Sequence, residues 1–181
     1  MRQLFSRRAG LLALTLLALA ALQGQAHAQF HAPKFLKATA VAPKMVTPGK
    51  PFAVAVTLTI ESPYHIQANP ATAEYIPTEV KVGAVKGLSV GRPVYPQGMQ
   101  ATISGDKLSV YEGVVKVRVT VTPGQALKPG KITLPVTVHY QGCNEQACYP
   151  PTDTKTEIVF MVGKATAPPK RPGPKKATAL R

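Results

Sequence analysis

Apolar and polar side chains alternate along much of this chain, and that two-residue period is the strongest constraint on its fold. Phe52, Val54, Val56, Leu58 and Ile60 alternate with Ala53, Ala55, Thr57 and Thr59, and Val115, Val117, Val119 and Val121 with Lys116, Arg118 and Thr120. Ile132 to Tyr140 and Thr156 to Val162 repeat the pattern. Successive side chains of a strand point to opposite faces, so each run predicts a strand with one buried face. Shorter candidates are Leu36 to Val41, Thr78 to Val82 and Leu88 to Val94. Turn signals punctuate them at Pro48-Gly49, Pro96-Gln97-Gly98, Ser104-Gly105-Asp106, Pro123-Gly124 and Pro129-Gly130. No stretch carries a helical period. Seven or eight short antiparallel strands of this kind predict an all-β fold, an immunoglobulin-like antiparallel β-sandwich.

The two ends of the chain read differently. Arg2, Arg7 and Arg8 precede an uncharged apolar run, Leu11 to Leu22, and the small-x-small site Ala26-His27-Ala28. Residues 1–28 are therefore expected to be a secretory signal peptide. The run falls short of the roughly 20 residues a spanning helix needs. Ser6-Arg7-Arg8 followed by Leu11 and Leu12 also fits a twin-arginine signal, and either route exports the chain. The expected product is a soluble periplasmic protein in a compartment that permits disulfides. Residues 29–162 form the expected domain. Residues 163–181, rich in Pro, Lys and Ala, form an expected disordered basic tail. That tail reads as a solubilising segment, or as a weak electrostatic contact to an anionic membrane surface.

The formal charge of +14 is concentrated in these ends. Of the 22 Lys and Arg, three lie in the signal and six in the tail, which leaves 13 against all 8 acids in the core. A net of +5 on the core, without an aromatic-interleaved basic stripe or a helix–turn–helix pattern, excludes a nucleic-acid footprint. Hydrolytic motifs and phosphate-cradling glycine loops are also absent from the sequence.

The chemistry-bearing stretch is Tyr140 to Pro151, YQGCNEQACYPP, which holds both cysteines, Cys143 and Cys148, with four residues between them. It joins two predicted strands, so a disulfide here would staple the mouth of a hairpin. A loop of about six residues contributes roughly 2 kcal/mol by chain entropy, against about 4.7 for a hundred-residue loop. So small a gain favours redox chemistry over a staple. Gly142 leaves room for another backbone to approach Cys143. Pro150 and Pro151 cannot donate to a ladder, so the edge beside Cys148 is expected to be partly open. The spacing excludes the C-x-x-C of thioredoxins.

Tyr140-Gln141-Gly142-Cys143 and Cys148-Tyr149-Pro150-Pro151 resemble the N-terminal periplasmic domain of the DsbD family of transmembrane thiol:disulfide interchange proteins. Ser62-Pro63-Tyr64-His65-Ile66-Gln67 resembles that family's aromatic-rich strand end facing the cysteines. Gly105 to Tyr111 resembles the segment after its cap loop. The resemblance covers roughly residues 35–162. It implies an immunoglobulin-like domain that relays electrons to exported disulfide isomerases and to thioredoxin-like proteins of cytochrome c maturation. The family's transmembrane and thioredoxin-like parts have no match here. The chain is thus expected to be a free-standing version whose donor is another protein, a membrane electron carrier. The resemblance makes Cys148 the nucleophile and Cys143 the resolving thiol. Where the family's best-known members place an aromatic over the disulfide, the nearest match, within Met99 to Ser104, is Ile103.

Around this pair, Tyr64, His65, Ile103 and Tyr149 are the candidate lining or capping residues. An imidazolium at His65 facing the cysteines would favour a thiolate; the alternative is a surface histidine at a strand end. His139 shares parity with Pro135 and Thr137 and is expected to point to solvent. Glu145 is expected to be solvated, and Tyr111 to fill the core. No metal or cofactor is expected. Two thiolates with His139 or His65 fall short of the four ligands of structural zinc, while a copper(I) site of thiolates and imidazole stays open as an alternative. The competing function, from another class, is a non-enzymatic periplasmic domain that binds a partner protein or a metal and carries a structural disulfide.

Overall fold

A computed structural model describes residues 33–164. The expected signal peptide, 1–28, and the expected tail from residue 165 onward lie outside the described residues. In chain order the strands are β1 (Leu36–Val41), β2 (Met45–Val46), β3 (Phe52–Ile60), β4 (His65–Gln67), β5 (Glu79–Val82), β6 (Leu88–Val90), β7 (Met99–Ile103), β8 (Asp106–Tyr111), β9 (Val114–Pro123), β10 (Gly130–Tyr140), β11 (Gly142–Cys143) and β12 (Thr152–Val162). They form three sheets, ordered β1-β3-β9-β6, β2-β12-β10-β5 and β11-β4-β8-β7. The fold is the expected all-β, immunoglobulin-like sandwich: the first two sheets enclose the core, and the third, smaller sheet carries the cysteines.

The period-two pattern decides the faces. Val54, Val56 and Leu58 of β3 and Val117, Val119 and Val121 of β9 are fully buried, while the residues between them are not. Across the core they meet Leu134, Val136 and Val138 of β10 and Ile158 and Phe160 of β12, also buried. β-branched side chains pack well on a pleated surface, which suits the valine-rich strands to this role. Pro135 sits within β10 because its side chain faces outward and its carbonyl still accepts, from the Gly83 amide at 2.7 Å.

The structure departs from the sequence reading where strands are short. Among the described residues there are twelve strands rather than seven or eight, because β2, β4 and β11 hold two or three residues each, too few for an alternation to register, and β7 and β8 lie in the segment matched to the cap loop and its continuation. β2 runs parallel to β12, pairing Met45 with Met161 and Val46 with Val162, so the sandwich is not wholly antiparallel. β12 begins at Thr152, earlier than the apolar pattern suggests, and pairs with β10 along its whole length. Its other edge has a ladder partner at Met161 and Val162 alone. Leu88 to Val94 breaks after Val90, and Val94 returns as an isolated bridge to Arg118. Met99–Ile103, matched above to a cap loop, is a strand paired with β8. Its turn is Ser104-Gly105, with φ of 51° and 90°, the two positive angles that a type I′ hairpin requires.

The faces can be tested directly. Leu134 is 0% exposed and Val159 is 47% exposed. Leu134→Ala is expected to cost about 3 kcal/mol, and Val159→Thr no more than about 0.5 kcal/mol. Urea unfolding of both variants checks this, and equal losses would contradict the register of β10 and β12.

Candidate functional site

The chain leaves β10 at Tyr140, turns at Gln141 and enters the small sheet as β11. There Gly142 pairs with Ile66 and Cys143 with His65. The Gln67 amide donates to the Gln141 carbonyl at 3.0 Å and ties the crossing to β4. Behind β4 lies β8, pairing Ile66 with Tyr111 and Gln67 with Val110. This two-residue strand sends its side chains to opposite faces, and the site is built on that division.

On one face, Cys143 packs with Ile103, Leu108 and Val110, and Cys148 joins this cluster from its edge. Cys143 and Cys148 are disulfide-bonded and also pair as a backbone bridge. Cys143 is fully buried, whereas Cys148 is partly exposed. The loop between them is ordered from within. Asn144 Oδ1 accepts from the amides of Gln146 and Ala147, each at 2.9 Å, a side-chain-mimicked turn. The Asn144 amide donates to the Ala147 carbonyl at 2.9 Å, and the Tyr149 amide to the Gly142 carbonyl at 2.7 Å. The β7–β8 turn leans on this loop: the Ser104 amide donates to the Glu145 carbonyl at 3.3 Å, and the Ser104 hydroxyl donates to the Gln146 carbonyl.

Gln67 also reaches the sulfurs. It is 0% exposed, and its Nε2 lies 3.4 Å from Cys143 Sγ and 3.9 Å from Cys148 Sγ. Its Oε1 is buried without a partner. The sequence names Gln67 only as the end of the stretch Ser62 to Gln67 and gives it no role of its own, since glutamine carries no redox signature. The available signal was a polar residue at the same parity as His65, two positions on.

On the opposite face of β11, Gly142 meets aromatic rings. Phe35 stacks on Tyr64 with ring centroids 4.4 Å apart, lies edge-on to Tyr140 at 5.9 Å, and is 6.1 Å from Tyr149. A side chain at Gly142 would overlap the Phe35 ring. The glycine thus makes room for an aromatic ring, not for the backbone approach expected from sequence. Phe35 is the centre of this cluster, and no pattern in the sequence singled it out. Burial pushes the hydroxyl of Tyr140 above the usual phenol range. It does the same for Tyr111, whose hydroxyl donates to the Pro96 carbonyl at 2.8 Å, a core position as expected.

The structure thus places Ile103 and His65 on the disulfide side of the small sheet, and Tyr64 on the aromatic side. Tyr149 lies between, tilted 6.2 Å from Tyr64 and bonded through its hydroxyl to Asn144 Nδ2 at 3.1 Å. His65 lies 3.2 Å from Glu112 through Nε2, and its Nδ1 is buried without a partner. Both residues line a hollow with Ser62, Pro63 and Glu145. His139 sits away from the sulfurs, 2.6 Å from Asp153 across the β10–β12 ladder. Among the described residues, no three His, Cys, Asp or Glu side chains gather as a metal-binding group.

The arrangement defines a β-sandwich that displays a disulfide on an accessory sheet. Its residues 32–159 match the family described as thiol:disulfide interchange protein DsbD, N-terminal, and the chain belongs to that family. Among solved structures, the N-terminal periplasmic domain of ScsB from Proteus mirabilis is similar with a TM-score of 0.50 and 10% identity, over 69% of this chain and 46% of that one. The Neisseria meningitidis DsbD N-terminal domain in its reduced form gives a TM-score of 0.40 and 23% identity, over 60% of this chain and 81% of that one. The complex between the DsbD and PilB N-terminal domains of the same organism gives 0.42 and 20%, over 71% and 87%. Comparison with curated protein sequences finds no match.

Gly142→Ala is expected to destabilise the domain by about 2 kcal/mol, because the added methyl overpacks the aromatic cluster. Denaturant unfolding measures the loss. Phe35→Leu in the same chain should recover part of it, since contacting residues couple.

Proposed function

We propose that this chain is an exported thiol–disulfide exchange protein, a protein-disulfide reductase, that relays electrons between thioredoxin-like partners through Cys143 and Cys148. The observation that carries this reading is the asymmetry of the sulfur pair. Cys143 is wholly buried, while Cys148 is partly exposed in the segment leading into β12, where Pro150 and Pro151 carry no backbone N–H. Membership of a family of thiol:disulfide interchange domains supports the same chemistry. Export to the periplasm rests on the signal-like residues 1–28. No helix among the described residues is long and apolar enough to cross a membrane. The donor in this reading is a membrane electron carrier.

The exchange proceeds in two displacements. In the reduced chain the Cys148 thiolate attacks a partner disulfide, forming a mixed disulfide and releasing one partner thiolate. The Cys143 thiolate then attacks Cys148 Sγ, closing the Cys143–Cys148 bond and releasing the second partner thiolate. Two electrons pass to the partner, whose sulfurs take up two protons. The reverse sequence with a partner dithiol reloads the pair. His65, Ile103 and Tyr149 border the sulfur side in this reading, with Ile103 at the position of a cap, while Tyr64 belongs to the aromatic cluster on the opposite face. The burial of Cys143 favours a second reading, an inert structural disulfide in a binding domain.

Two measurements decide between the readings. Cys143→Ala is expected to trap a mixed disulfide through Cys148 with an exported thioredoxin-like protein, seen by non-reducing electrophoresis, and Cys148→Ala far less. Equal trapping would remove the assignment of roles. No trapping by either variant, with a reduction potential below about −300 mV, would favour the structural disulfide. The double variant Cys143→Ser, Cys148→Ser should stay folded and lose no more than about 2 kcal/mol, as the short loop requires. Its failure to fold at room temperature, scored by circular dichroism, would count for a staple.

A further inference from the structure

Gln67 is a costly residue for its place. Its backbone is fully engaged: the amide donates to the Gln141 carbonyl at 3.0 Å, and the carbonyl accepts from the Thr78 hydroxyl. Its side chain is fully buried, with Nε2 on the two sulfurs and Oε1 unpartnered. A buried acceptor left without a donor is unfavourable. A leucine or methionine would fill the same volume without that penalty. The disulfide also gives the amide little in return, because a bonded sulfur is a weak acceptor and carries no proton.

Reduction changes both sides of this balance. When a partner dithiol reduces the pair, the Cys143–Cys148 bond breaks and the partner's disulfide forms. Two electrons and two protons pass to Cys143 and Cys148. Each sulfur then carries an S–H donor, and a sulfur that releases its proton to solvent becomes a thiolate acceptor. A thiol can then donate to the unpartnered Oε1, and a thiolate can accept from Nε2–H in a bond roughly twice as strong as a neutral one. Neither gain exists in the disulfide state.

We propose that the Gln67 carboxamide poises the sulfur pair, holding the reduced state through hydrogen bonds that the disulfide cannot make. The inference deepens the exchange reading and rests on it for its biological meaning. The measured quantity does not, because the equilibrium constant of any protein disulfide with a small dithiol can be determined. A residue acting on packing alone would destabilise both redox states alike and leave that constant unmoved.

The test equilibrates the full chain with dithiothreitol redox buffers and counts free thiols by alkylation, in wild type, Gln67→Met and Gln67→Leu. Both variants keep the volume and remove the amide. The constant for reduction is expected to fall about tenfold, the difference between a charge-assisted and a neutral hydrogen bond, which is about 30 mV for this two-electron couple. In the reduced variants, thiolate absorbance at 240 nm should appear at higher pH than in wild type. A third measurement needs no variant: the side-chain amide resonances of Gln67 should shift downfield and exchange more slowly when the wild-type protein is reduced. Unchanged constants in the folded variants would overturn the proposal, and so would amide resonances indifferent to redox state. The absolute wild-type constant judges the exchange reading, whereas the ratio of variant to wild type judges Gln67, so the two can fail separately.

Discussion

The ladder between Gly142-Cys143 and His65-Ile66 is the contact on which the site depends. It is only two residues long, yet it sets the direction of every side chain around the sulfurs. Because neighbours on a strand face opposite ways, Gly142 must turn toward Phe35 when Cys143 turns toward Ile103, Leu108 and Val110. A slip of one residue would bury the glycine where the sulfur belongs and press the cysteine into the aromatic stack. The absence of a side chain at residue 142 helps make the register unique, since one register alone lets the Phe35 ring sit flush against the strand. Gln67 and His65 share the cysteine's face for the same reason, two positions apart on the neighbouring strand.

The sandwich and the site divide the work of folding unequally. The long strands β3, β9, β10 and β12 bury valine, leucine, isoleucine and phenylalanine against one another. The small sheet contributes a separate cluster of few apolar residues around the disulfide. Burial of apolar area is the dominant favourable contribution to folding. The site therefore sits on a scaffold that supplies most of the stability of the domain.

The scaffold was the legible part of the sequence. Runs such as Phe52 to Ile60 and Val115 to Val121 are long enough for the period to show, and β1 and β3 have the bounds that the pattern predicts. The strands that carry the site are two to six residues long, and their pairing is set by tertiary contacts between distant segments. The cysteines were found from composition and spacing, and the family from the residues beside them. Phe35 and Gln67 were not, because their importance comes from what lies opposite them in space: a glycine 107 positions away in one case, and a sulfur 76 positions away in the other. The short segment Met99 to Ile103 was matched to a loop for a related reason. Its central Ala101 is too small and too little buried to mark a strand face, although the turn signal at Ser104-Gly105-Asp106 beside it is the tip of the hairpin.

The outer edge of β12 has one more property. From Thr152 to Phe160 it has no ladder neighbour on the side away from β10 among the described residues. An open edge is a template for another strand. Along it, Asp153, Lys155 and Glu157 stand exposed at alternate positions. Their charges read minus, plus, minus in either direction. An antiparallel copy centred on Lys155 would set lysine against lysine and aspartate against glutamate, and a parallel copy in register would set each residue against itself. Like charges directly opposite one another are unfavourable in a ladder. In these two registers the strand repels itself, whereas a shift of two residues sets lysine against aspartate or glutamate, so the alternating charges select the register in which a second strand could add to the free edge.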